Sequence, residues 1–480
     1  MRNQKIQIVL ITSLLFQICS GAVAQDNQFS SPTLSGSVQD PPAGSYLTLL
    51  QLEQMAIKNN PTIPQSLAAK MSAQGLARQA GTLPNPVIGY QGEEFAFRAL
   101  NAKPEYFGFF EQTIPLGGKL AKSKRIYLNQ ARQAEIEAGA QKQRIVNTVR
   151  TLFYETLGAQ QQVELHGELV RIAHDATKTT SDLFNVGQAD KPDYLESQIE
   201  GEQVEHELQV ARNELKLTWK LLASIVGLPE LAPVRLQGKL EERIPALNED
   251  QLLEALLRDS PQVRSAEAQV QRARAVVIRA KAEPIPDMYV RGGIGGSTEF
   301  LDQNKPGAPL KRTGVEANMQ VGFSVPVWNR NQGSIAAAQA DLVSAESEVT
   351  RVRLALRVQF AQAMKNYSNS QDAVRRYRDV IVPRADEAYQ LYSVKYKQMS
   401  ASYPQMLIAQ RTMFQVRRQY INALVNLQQN ATSLEGSLLT GGLDYPAGGN
   451  LQHVEMTGVR SGSQGSPNMD ALDTAGLIEY

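Results

Sequence analysis

Cysteine is nearly missing from this sequence: there is one in 480 residues, Cys19. It lies in an opening stretch that reads as an export signal, with Arg2 and Lys5 at the start, a mostly apolar run from Ile6 to Ile18, and Ala22-Val23-Ala24 matching an A-x-A cleavage site. Residues 1–24 are therefore predicted to be removed, and the mature chain, beginning at Gln25, has neither disulfide nor thiolate chemistry available. Lipid attachment at Cys19 would need a small residue before it, and Ile18 stands there instead, so no lipid anchor is expected.

Charge of one sign is lacking too. Without Arg2 and Lys5 the 49 basic residues fall to 47 against 48 acidic ones, a balance of −1 that gives no bulk attraction to nucleic acid. Histidine is scarce: His166, His174, His206 and His453 are all there are, and the first two stand eight apart with no cysteine and no carboxylate cluster at ligand spacing. No catalytic, cofactor-binding or metal-ligating set is assigned, and an enzyme is not expected. The run Gly292–Gly296 and the triplet Gly117-Gly118-Lys119 lack the spacing of either nucleotide fingerprint, and the first reads as a small-residue strand. After the signal no run of about 18 apolar residues occurs, so a membrane could be crossed only as a β-barrel.

What is present is a repeat. At an offset of 200 residues Leu47 falls on Leu247, Pro61 on Pro261, Pro84 on Pro284 and Pro86 on Pro286, without a gap. The offset grows to 211 where Gln112-Thr113-Ile114-Pro115 meets Phe323-Ser324-Val325-Pro326, and to 212 where Phe184 meets Tyr396 and Leu195 meets Leu407. Each half reads as a short helix, a Pro break, a helix ending at P-x-P, two strands and two long helices around a turn. The predicted organisation is an extended segment 25–46, a first α-α-β-β-α-α repeat over 47–246, a second over 247–442, and a polar tail over 443–480. Two separate globular domains are the competing reading of the duplication.

The strands favour a membrane wall. Val315, Ala317, Met319, Val321, Phe323 and Val325 alternate with Glu316, Asn318, Gln320, Gly322 and Ser324, a period of two over a length that crosses a bilayer at a tilt. Pro86–Phe97, Tyr106–Ile114 and Asp287–Ser297 are less regular candidates, Tyr90, Tyr106, Phe300 and Trp328 lie near strand ends, and Asn304–Arg312 reads as an exposed loop. A soluble sandwich would show the same alternation in one strand. Four strands do not close a barrel, since the smallest use about eight; two chains would supply eight and three would supply twelve.

The helices are too long for a globule. Between Gly333 and Gly436 no glycine occurs, and Ile335, Ala338, Leu342, Ala345, Val349, Val352 and Leu356 keep a 3-4 spacing, the seam of a coiled coil. A helix from Gly333 to Tyr396 would run about 95 Å, with a kink expected at Pro383 and a counterpart over Lys119–Phe184. Two turns cap the far end: Phe184, Val186, Gly187, Asp190, Asp193 and Leu195 around Pro192, and Tyr396, Met399, Tyr403 and Leu407 around Pro404. Paired tips of this kind are candidates for docking another helical protein, and Asp190, Asp193 and Tyr403 for a gate.

Leu83-Pro84-Asn85-Pro86, the exit Ser324–Gly333 and the Phe184-x-x-Gly187 turn followed by Asp193 and Leu195 together resemble the TolC-type outer-membrane efflux proteins, from about Leu47 to Gly442. The second tip departs from the motif, with Met399 for glycine and Gln405 for aspartate. The resemblance implies an α+β membrane protein: a homotrimer whose twelve-stranded β-barrel sits in outer-membrane lipid and continues as a helical tunnel through the periplasm of a Gram-negative cell. It further implies a passive exit duct served by a periplasmic adaptor and an inner-membrane pump of RND type. Glu111–Lys119 and Trp328–Gly333 most resemble the heavy-metal, CzcC-like branch. Drug or solvent efflux and type I protein secretion are the alternatives, followed by a periplasmic adaptor or a coiled-coil scaffold.

Overall fold

The computed structural model describes residues 46–93, 105–241, 247–297, 314–398 and 400–444, all within one compact unit, Gly44–Tyr480. A first set of elements comprises β1 (Leu47–Thr48), α1 (Leu49–Asn59), α2 (Thr62–Ala80), β2 (Val87–Glu93), β3 (Glu105–Ile114), α3 (Lys119–Asn185) and α4 (Lys191–Val226). After β4 (Leu236–Gln237) the order returns: α5 (Glu249–Asp259), α6 (Pro261–Ala282), β5 (Met288–Ser297), β6 (Gly314–Phe323), α7 (Gln332–Arg376), α8 (Val382–Lys397) and α9 (Tyr403–Glu435). The expected signal peptide, most of the two terminal segments, the loop Asn304–Arg312, Phe300 and Met399 lie outside the described residues.

Local chemistry starts the helices at matched places. Thr48 caps α1, its hydroxyl accepting from Gln51 N while the Gln51 side chain accepts from Thr48 N at 2.9 Å, a capping box. Asn248, 200 positions on, caps α5 through Gln251 N at 3.2 Å. Asn60 holds the start of α2, accepting from Thr62 N at 3.0 Å, and Ser260 does the same for α6 through Gln262 N at 3.3 Å. Prolines 61 and 261 follow these caps, where a missing N–H leaves no helical bond unmade. The small parallel pair β1–β4, two residues a side, has no period to betray it in the sequence; it ties the start of the chain to the segment after α4.

Helix α3 has 67 residues, about 100 Å at 1.5 Å each. It packs against α4, α2, α6 and α9, while α7 packs on α6 and α9. The largest core lies where these meet: Ile145, Val149, Phe153 and Leu157 of α3 against Trp219, Leu222 and Val226 of α4, Leu52 and Ala56 of α1, Leu356 and Phe360 of α7, and Leu424 and Leu427 of α9. Along α7 the expected seam is the buried or half-buried stripe, from Ile335 through Ala338, Leu342, Ala345, Val349 and Val352 to Leu356, and apart from half-buried Glu348 and Ala355 the residues between are exposed. The break near Pro383 takes a definite form, a π-helical turn over Tyr377–Ile381. Proline cannot donate to the carbonyl one turn back, and widening that turn accommodates the lost bond without ending the helix.

Candidate functional site: channel wall and helical tips

The four longer strands form one antiparallel sheet in the order β2-β3-β5-β6. The central pairing joins the two halves, with Phe110 opposite Gly292 and Ile114 opposite Met288. Register then sorts the side chains. One face carries Ile88, Tyr90, Tyr106, Phe110, Ile294, Val315, Met319, Val321 and Phe323, and all of them are exposed, Val315 at 82 % and Met319 at 77 %. Among the described residues the strands of this sheet pack mainly on one another, without a second sheet facing them as a sandwich would have.

The opposite face mixes polar and charged side chains with Val87, Phe107, Phe109 and Tyr289. Arg291 stands at its centre, its guanidinium 3.8 Å above the Phe109 ring, 3.9 Å from the Glu111 carboxylate and donating to the Gln91 side-chain oxygen Oε1, so one side chain spans β5, β3 and β2. Asn318, Gln320 and Glu316 of β6 share this face. Gly322 is opposite Tyr289, and a Cβ at 322 would run into the phenol ring. The Gly292–Gly296 run is strand, its missing side chains making room for aromatics such as Phe107, which lies against Gly295. An exposed apolar face over one layer, backed by a face that carries Arg291, Glu111, Gln91, Asn318 and Gln320, is the side-chain pattern of strands that face lipid on one side.

At the far end the two tips differ. In the first, Gly187 takes φ 75°, its N–H donating to Phe184 O at 3.0 Å, and Asp190 precedes the first turn of α4, where Pro192 sits. Phe184 stacks on Tyr194, rings 5.6 Å apart, and Phe184, Val186 and Leu195 are exposed. Burial, and secondarily the Asp190 charge, pushes the Asp193 carboxyl above the usual carboxylate range. In the second, Ser402 and Gln405 form a capping box for α9. Tyr396, Tyr403 and Leu407 are buried with Met406, and partly buried Ala176 and Leu183 of α3 pack on them. The Tyr396 and Thr180 hydroxyls lie 3.1 Å apart, and burial, then Glu200 and Glu196, raises the Tyr403 phenol. The first tip thus offers an apolar surface, while the second is turned onto α3.

Two ion-pair sets, absent from the sequence reading, bind the hairpins together. Arg411 of α9 reaches the buried Glu200 of α4 with Nε 3.0 Å from the carboxylate, and Arg417 of α9 bridges Asp386 of α8 at 2.9 Å and Glu168 of α3 at 3.4 Å. No spacing rule couples residues 31, 211 or 249 apart, so only the fold reveals them. His166 is buried, its Nδ1 3.6 Å from Glu207, and burial lowers its pKa. His174 meets Glu205 at 2.8 Å on the rim of a cleft of about 1250 Å³ between α3 and α4, which His206, Lys178 and Glu202 also line. Among the described residues no three histidine, cysteine or carboxylate groups stand where they could hold a metal ion, and no helix is long and apolar enough to cross a membrane.

A single-layer sheet with an apolar outer face, set on helices about 100 Å long, defines the protomer of a membrane channel with a long helical extension. The chain belongs to the outer membrane efflux protein family, whose model matches residues 52–228 and 252–439. It is similar to the cobalt-zinc-cadmium resistance protein CzcC of Cupriavidus metallidurans, 25 % identical over 399 residues, 82 % of this chain and 90 % of that protein. In fold it is similar to a membrane protein from Pseudomonas aeruginosa, at TM-score 0.68 and 19 % identity over 81 % of this chain and 92 % of the other. The outer membrane protein VceC of Vibrio cholerae superposes at TM-score 0.65, 19 % identical over 82 % of this chain and 97 % of that one. The protein is an outer-membrane efflux channel that reaches into the periplasm, and it is not an enzyme.

Proposed function

We propose that three copies close a twelve-stranded barrel and a helical tunnel, and that the assembly is the passive outer duct of a tripartite pump for divalent metal cations. The observation that carries the assembly is the pair of open edges: β2 and β6 end the sheet. Below them, the outer flanks of α4 and of α7–α8 expose Ile199, Val210 and Leu217 on one side and Leu354, Val358 and Leu391 on the other. Joining β6 of one copy to β2 of the next satisfies both edges and covers both flanks. The two matched halves, with boundaries near residues 47, 247 and 442, then alternate around the ring.

The exposed first tip, with Phe184, Val186, Gly187, Asp193 and Leu195, is the surface for a periplasmic adaptor that links the duct to an inner-membrane pump of RND type. Tyr396, Met399 and Leu407 belong to the second tip, and a gate built on Asp190 and Tyr403 would require that tip to leave α3. The metal cargo is supported by the similarity to CzcC. A strain lacking the protein is grown on graded zinc, cobalt, cadmium, copper and nickel beside hydrophobic drugs. Selective metal sensitivity, restored by the intact gene, is expected; drug sensitivity with normal metal tolerance would assign the duct to drug or solvent efflux. Normal growth on both, with loss of a secreted protein, would assign it to type I secretion.

A further inference from the structure

Lys119 opens the 67-residue α3 against the helix's own electrostatics. The aligned peptide dipoles leave a helix N-terminus positive, yet the first turn of α3 holds Lys119 and Lys122 and no acidic residue, and Gly118 before it offers no side-chain cap. Lys119 is moreover only 5 % exposed. A buried cation in that place weakens the helix unless a charge from elsewhere answers it.

The answer comes from the other half of the chain. Lys119 Nζ lies 2.9 Å from Asp287 Oδ1 and 4.0 Å from the Glu283 carboxylate, in the corner between α6 and β5. The same Asp287 oxygen accepts from Leu116 N at 3.2 Å, so one carboxylate holds both the exit from β3 and the first residue of α3. Gly117, at φ 69°, leaves room for Ile285 of that corner, which a Cβ would strike. Arg279, in the last turn of α6, donates to Ser123 Oγ of α3 at 2.8 Å. The joint after β6 leans on the same helix end. Asn331 precedes α7 as Gly118 precedes α3, both left-handed, and its side-chain N–H donates to Ala280 O at 3.0 Å. There, however, the helix begins with the uncharged Gln332, so the ion pair belongs to one of the two joints alone.

We propose that Lys119 and Asp287 form a pin that fixes the strand sheet at one setting on the long helices, and so gives the duct a single geometry where barrel meets tunnel. They are positioning residues, and neither has to touch the cargo. A buried ion pair suits that task because it is satisfied at one separation and costly at others, whereas apolar surfaces can slide on one another. The role presupposes the barrel-and-tunnel duct proposed above.

Spin labels read the setting. Cys19 is the only cysteine of the sequence, so in the chain from Gln25 onward Leu128→Cys on α3 and Ile294→Cys on β5, both exposed, take one label each. Labelled chains are diluted with unlabelled ones, and the distance between labels is measured in detergent by double electron–electron resonance. The wild-type pin is expected to give one narrow distance, which Lys119→Arg keeps. Lys119→Met with Asp287→Asn removes both charges while leaving an oxygen for Leu116 N; this neutral pair should keep the wild-type unfolding temperature yet broaden the distance. Lys119→Met alone should lose both. A narrow distance in the folded neutral pair would overturn the pin and leave the ion pair a contributor to stability only. Should the neutral pair not fold, the exchanged pair Lys119→Glu with Asp287→Lys takes its place: a narrow distance supports the pin, and a broad one in a folded chain overturns it. Ion conduction by the same chains in planar bilayers separates the two readings. One conductance level in the wild type and several in the neutral pair are expected; a distance that depends on the pin, with no conduction by any chain, would sink the duct and leave the pin standing.

Discussion

Glu200 lies 4 % exposed in the groove between the two hairpins, and its charge is met there by Arg411. Arg411→Ala is expected to cost about 2 kcal/mol, because a buried carboxylate keeps its desolvation penalty when its partner is lost. Thermal unfolding followed by circular dichroism should show the loss, with partial recovery when Glu200→Gln is added. His166 gives the pH response. Burial holds its pKa below the ordinary 6.5 against Glu207, while Arg418 works in the same direction as burial. The folded state therefore binds the proton later than the unfolded one, so stability is full above 6.5 and falls as the pH drops from there toward the folded pKa. His166→Gln should flatten that decline between neutral and mildly acid buffers; an unchanged slope would assign it to other groups. Neither residue could be singled out from the sequence, since a lone histidine on a helix carries no sign of its burial.

Between residues and molecule the elements show how far pattern carries. The α7 seam and the β6 alternation were legible because each side chain's environment follows from a local period. The π turn before Pro383 was legible only as a kink, because the same lost hydrogen bond admits several backbone solutions. Pro383→Ala restores the donor, and hydrogen exchange of the Tyr377–Ile381 amides should slow as the turn tightens toward α-helix. The two faces of β6 make opposite predictions for charge. Met319→Lys places an ammonium in the lipid band and should cost about 2–4 kcal/mol, whereas Asn318→Lys, on the other face of the strand, should be tolerated. Comparing the heat needed to unfold each barrel on a gel checks the assignment; equal effects would contradict it.

For the whole molecule, neither the sheet nor the helical flanks are complete in one copy. A chain with β2 and β6 unpaired exposes rows of backbone donors and acceptors that a bilayer cannot satisfy. Detergent extracts should accordingly yield a heat-sensitive trimer in native mass spectrometry. A monomer stable in detergent with ordered strands would count against ring closure. The exposed Phe184, Val186 and Leu195 of the first tip make a further prediction. Val186→Asp should weaken function in the cell without lowering the thermal stability of the purified channel, because that side chain is 67 % exposed in the protomer.

By itself the sequence determined the repeat, the order of elements, the side-chain parity of β6 and the long-helix architecture, since these depend on spacing along the chain. Only the tertiary structure decided that the central seam is β3 against β5, that Arg291 spans three strands on the face opposite the apolar one, and that the second tip is folded onto α3 while the first is left open. Those features join residues from both halves of the chain. Which of the many sterically allowed partners meet is settled by the packing of the whole, where burial, register and charge must be satisfied at once.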